Sequence, residues 1–90
     1  MKRQIRLIQG KFDAAEGYSI IKMLIQKKVQ HHALKSLSYI EQGLDTSESD
    51  RKLEYFKRVI DEINHEIETL AEGAVLDIDC KITYTVKDAN

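Results

Sequence analysis

Leu76-Asp77-Ile78-Asp79-Cys80-Lys81-Ile82-Thr83-Tyr84-Thr85-Val86 is the stretch on which the fold turns. In an extended chain successive side chains point to opposite sides. Leu76, Ile78, Cys80, Ile82, Tyr84 and Val86 therefore share one face. Asp77, Asp79, Lys81, Thr83 and Thr85, with Lys87 beyond them, share the other. The alternation is unbroken, and the stretch is about twice the usual strand length of five or six residues. One apolar face and one charged face describe a strand in an antiparallel or mixed sheet, covered on one side only.

Such a strand needs a partner, and the candidate lies at the opposite end of the chain. Over residues 3–12, Ile5 and Leu7 alternate with Gln4 and Arg6 until Ile8 breaks the pattern, and Gly10 marks an end or a bulge. Between the two strands the apolar spacing becomes helical. Asp13 is an N-cap candidate, with Glu16 three residues later. Ala14, Tyr18, Ile21 and Ile25 follow in four-three-four spacing, widened by Ile20 and Leu24. Gly17 weakens the first turn by about 1 kcal/mol relative to alanine.

A second set, Ala33, Leu37, Ile40 and Leu44, has the same spacing but a different phase. Neither proline nor glycine stands between the sets. A helical region over 13–43 is expected, kinked or broken near residues 29–32 and stopped at Gly43. Ser47 and Asp50 resemble a capping box for a second helix. That helix carries the most regular seam in the chain: Leu53, Phe56, Ile60, Ile63, Ile67 and Leu70, three and four apart. Gly73 closes it. The architecture expected is one α+β domain over residues 1–90, ordered β-α-α-β. Its terminal strands pair, and the antiparallel sense is favoured, since one rod over 13–43 gives it, whereas a chain doubling back near His31 would make them parallel; a helical hairpin covers one face of them.

Composition narrows the function classes. The chain has 90 residues, 42% apolar and 32% charged, which suits a globular domain rather than a disordered one. There is no proline, and Cys80 is the single cysteine, so no disulfide forms within one chain. No secretory signal and no membrane-spanning stretch is read, and the cytoplasm is the expected compartment. Charge is uneven. Residues 1–40 hold eight basic and two acidic residues, a net of +6, and residues 41–90 hold six basic and thirteen acidic, a net of −7. Either the halves neutralise each other on packing, or the basic half meets an anionic partner or a second copy.

No chemical signature emerges. His31 and His32 point about 100° apart on a helix and cannot easily share a metal ion. Asp77 and Asp79 are read as a solvated strand face rather than an acid pair. No phosphate-cradling glycine loop is present. No cofactor and no catalytic residue is assigned. The expectation is a non-enzymatic, homo-oligomeric interaction or regulatory protein, most simply a homodimer, with an unidentified protein partner as a further option and no membrane partner. Its candidate interface residues are Leu53, Phe56, Ile60, Ile63, Ile67 and Leu70 on the seam and Ile78, Ile82 and Tyr84 on the strand. The alternative is a nucleic-acid binder contacting phosphates through Lys2, Arg3, Arg6, Lys27, Lys28, His31, His32 and Lys35.

Phe12-Asp13-Ala14-Ala15-Glu16, Leu24 to His32 and Leu34-Lys35 together resemble a group of small uncharacterised bacterial proteins of strand-helix-helix-strand order. That group places an aromatic residue where His31 stands here. The resemblance implies a bacterial setting and no activity.

Overall fold

The computed structural model describes residues 1–88. Four elements follow in order: β1 (Lys2–Asp13), α1 (Ala14–Glu41), α2 (Ser47–Glu68) and β2 (Val75–Thr85). The terminal strands pair antiparallel in a two-stranded sheet, from Lys2↔Thr85 to Asp13↔Val75.

The break at Ile8 is a β-bulge. Arg6 opposes Lys81 and Ile8 opposes Cys80, its immediate neighbour, so Leu7 is the extra residue. Because side chains alternate, one inserted residue flips everything after it to the other face. Ile8, Gly10 and Phe12 thereby join Cys80, Ile78 and Leu76 on the covered face. Ile5 stays on it opposite Ile82, and Arg3 opposite Tyr84. The outer face is a ladder of mixed charge. Lys11 opposes Asp77, and Asp79 lies 3.7 Å from Arg6 and 3.9 Å from Lys81.

β1 runs into α1 without a loop. Asp13 is the last strand residue and also the N-cap, its carboxylate accepting a hydrogen bond from the Glu16 backbone N–H at 2.8 Å. α1 then continues for 28 residues, about 42 Å, straight through residues 29–32. The change of phase there does not break the helix. The seam toward α2 simply turns polar, while a second apolar stripe starts on another face. A Schellman ending follows: Gly43 has φ +70°, its N–H bonds to Ile40 O, and the Leu44 N–H bonds to Tyr39 O.

The start of α2 differs from the expected box. Thr46, one residue before Ser47, is the N-cap. Asp50 does not close onto Ser47. Its carboxylate accepts hydrogen bonds from Thr46 Oγ1 at 2.7 Å and from Ser36 Oγ on α1 at 2.9 Å. A side chain expected to serve its own helix instead ties the hairpin. The two helices are antiparallel neighbours joined along their length by Tyr18–Glu66, His32–Phe56 and Ser36–Asp50.

The covered face of the sheet meets α1 at Gly17, which is buried. A Cβ there would lie 2.7 Å from Leu76 Cδ1 and 3.1 Å from Leu76 Cβ and Cγ. This close approach of helix to strand explains a glycine in the first turn. Gly17→Ala is expected to lower stability by about 1–3 kcal/mol even though alanine favours helix, because Leu76 Cβ is fixed to the strand and cannot swing away. Denaturant midpoints check this, and a raised midpoint would refute the packing argument.

Cover stops partway along the sheet. Ile8, Phe12, Leu76, Ile78 and Cys80 are half-buried, whereas Ile5, Ile82 and Tyr84 at the far end are exposed. Among the described residues the buried apolar side chains are Tyr18 and Ile63, and none is fully enclosed. The Cα trace spans 50 × 32 × 13 Å with a radius of gyration of 16.8 Å. A compact chain of this length has about 12 Å.

Candidate functional site

The seam Leu53, Phe56, Ile60, Ile63, Ile67 and Leu70, expected as an interface, turns toward α1 of the same chain. Ile63 is buried there, Leu53, Phe56, Ile60 and Leu70 are half-buried, and Ile67 at the helix end is exposed. On α1 the facing side chains are Tyr18, Ile25, Val29, His32, Ser36 and Tyr39, with Tyr18, His32 and Ser36 buried. Tyr18 Oη donates to Glu66 Oε2 at 3.0 Å. Burial, and then this carboxylate, hold the phenol above its ordinary range.

The second stripe has no partner among the described residues. Leu37 is 54% exposed, Ile40 64% and Leu44 50%, and Leu34 beside them is 60% exposed. A helix apolar on more than one side is one built to be covered on more than one side. Ile5, Ile82 and Tyr84 on the overhanging sheet make a separate open apolar patch. Sequence periodicity shows both stripes of α1 but not which of them α2 takes.

The expected phosphate contacts divide between two places. Lys2 and Arg6 lie on the outer face of the sheet, where Arg6 is engaged by Gln9 Oε1 at 2.9 Å and by Asp79, and Arg3 lies on the inner face opposite Tyr84. Lys27, Lys28, His31, His32 and Lys35 belong to α1. Of these, Lys35 is half-buried with Nζ 5.6 Å from the centre of the Tyr39 ring, and Lys27, Lys28 and His31 are exposed.

His32 is not a solvated residue at a helix junction. It is 4% exposed and stacks on Phe56, with ring centres 6.1 Å apart and planes 13° apart. His31 meets it edge-on at 5.0 Å. Among the described residues, Nδ1 of His32 is a buried side-chain polar atom without a hydrogen-bond partner. Burial pushes the imidazole below its ordinary 6.5, and Lys28, His31, Lys52 and Lys35 push it further down. The sign for stability follows. Below pH 6.5 the unfolded chain takes up this proton before the folded one, so stability falls as pH falls through that value. Denaturation at pH values from about 8 down to 5 is expected to show this decline, and His32→Phe to flatten it. Equal slopes for the two proteins would contradict it.

His65 is exposed on α2, 3.7 Å from Glu68, and Cys80 is half-buried in the sheet. Among the described residues no cluster of three or more His, Cys, Asp or Glu is placed to hold a metal ion, and no helix is long and apolar enough to cross a membrane. No protein-family model, curated protein or solved structure matches the chain.

Proposed function

We propose that this chain is one half of a homodimer, and that its role is carried by interaction rather than by chemistry. The observation that supports this is the surface left open. The chain exposes 7185 Å², whereas a globular monomer of 10.4 kDa exposes about 5400 Å². Two copies that each covered the difference of roughly 1800 Å² would bury about 3600 Å² in all, within the range of permanent homodimers.

A second copy is the occupant these features favour. Ala33, Leu37 and Ile40 keep the four-three spacing that suits another helix, Leu44 stands just past the helix end, and a stripe of this kind can pack on its own counterpart across a two-fold axis. Antiparallel packing of two α1 stripes about Leu37 sets four helices side by side. Ile82 and Tyr84, named from sequence as interface residues, lie with Ile5 on the overhanging sheet and supply a second apolar contact. The seam from Leu53 to Leu70 then does its work inside each chain.

Sedimentation equilibrium at micromolar concentration tests the reading. A particle of twice 10.4 kDa is expected. A stable, folded monomer at that concentration would remove it.

A further inference from the structure

Between the middle of α1 and the first three turns of α2 lies an open pocket of about 460 Å³. Lys28 and His32 line it from α1, and Glu48, Arg51, Lys52, Tyr55 and Phe56 from α2. Three cations from two helices meet there. The one carboxylate, Glu48, is engaged by Lys52 at 3.3 Å, and Lys52, Lys35 and Arg51 all act to keep it ionised. The pocket thus keeps an excess of positive charge. Gathering like charges around a concavity opposes the compact state, and an anion in the concavity relieves that repulsion.

The walls are aromatic. Phe56 stacks on His32 and meets Tyr55 edge-on, with ring centres 5.2 Å apart and planes 69° apart. Tyr55 is 54% exposed, so a large aromatic ring stands open at the rim. Within the same wall sits the buried His32 imidazole, whose Nδ1 has no partner. Cations alone would accept any anion, but an open ring beside them favours a ligand with a flat face of its own. The volume is that of a small-molecule site. A nucleic-acid strand would call for successive stacking platforms, and here one ring stands open.

We propose that this interhelical pocket binds a small aromatic phosphate of the mononucleotide class, its phosphate among Lys28, Arg51 and Lys52 and its ring against Tyr55. The site does not depend on the mode of self-assembly proposed above. Calorimetric titration of the full chain with adenosine monophosphate, and separately with inorganic phosphate, tests it. Saturable binding of the nucleotide, tighter than that of inorganic phosphate, is expected. Lys28→Gln with Lys52→Gln should weaken it about tenfold or more. Tyr55→Ala should weaken nucleotide binding and leave inorganic phosphate unchanged. Glu48→Gln removes the competing carboxylate and should tighten binding severalfold, an outcome that misfolding cannot imitate. Absence of saturable nucleotide binding at millimolar concentration would overturn the proposal. So would affinity indifferent to the lysine pair, equal affinity for the two probes, or saturable binding confined to oligonucleotides.

Discussion

Leu37→Asp combined with Ile40→Asp is expected to dissociate the proposed dimer into monomers in sedimentation, with a large loss of stability at micromolar concentration. The reasoning starts from exposure. Both side chains are more than half open in the isolated chain, and surface substitutions at such positions ordinarily change stability by no more than about 0.5 kcal/mol. A large effect therefore reports on something that covers them. Burying a leucine or an isoleucine contributes about 1.5–3 kcal/mol, and a two-fold interface counts each substitution twice. Only the exposed 54% of Leu37 and 64% of Ile40 is left to bury, so the pair should remove about 3–7 kcal/mol from association, before the cost of desolvating the new carboxylates is added. Dissociation would in turn expose the weakness of the single chain, because a dimer's stability depends on protomer concentration. Ser38→Asp is the control. It adds one carboxylate, half the charge of the double variant, near the same helix end on a different face, and should leave the mass unchanged. If the double variant kept the wild-type mass and midpoint, the stripe would not be the assembly face.

Much of this architecture was open to sequence reading because its signals are local. The alternation from Leu76 to Val86 specifies both strand and covered face. Asp13 specifies where α1 begins, and Gly43 where it ends. A single rod between them then sets the strands antiparallel, as the structure shows. What stayed hidden depends on pairing. Ile8 announces an irregularity, but only the register against Lys81 and Cys80 identifies Leu7 as the extra residue. Gly17 looks like a flaw in a helix until Leu76 is placed against it. Asp50, read with Ser47 as a capping box, turned instead to Ser36, fourteen residues away. The pocket was hidden for the same reason. Lys28 and His32 were visible as basic residues on one helix, but Arg51, Lys52 and Tyr55 came from another, and no spacing rule joins them. Periodicity states how many faces an element must cover. It is silent on which neighbour covers each.

That silence is what Ile63→Ala addresses. Ile63 is 9% exposed and sits mid-seam against α1, one of two buried apolar residues among those described. Removing a buried isoleucine side chain to alanine costs about 2–5 kcal/mol, the transfer of the lost groups plus the cavity they leave. In a chain with so little core that is a large share of a total of roughly 5–10 kcal/mol. Ile67→Ala, one turn further along the same seam at 38% exposure, should cost under about 1.5 kcal/mol, since less surface leaves water and the site can collapse. The contrast with the stripe on α1 is the informative part. With the seam packed within the chain, Ile63→Ala lowers the denaturation midpoint while the native particle keeps the wild-type mass in sedimentation. The substitutions at Leu37 and Ile40 do the reverse in order of cause, since they dissociate the particle first and destabilise it as a result. A folded Ile63→Ala monomer at concentrations where the wild type is dimeric would place the seam between chains, and α1 would then have to meet α2 of its partner rather than its own.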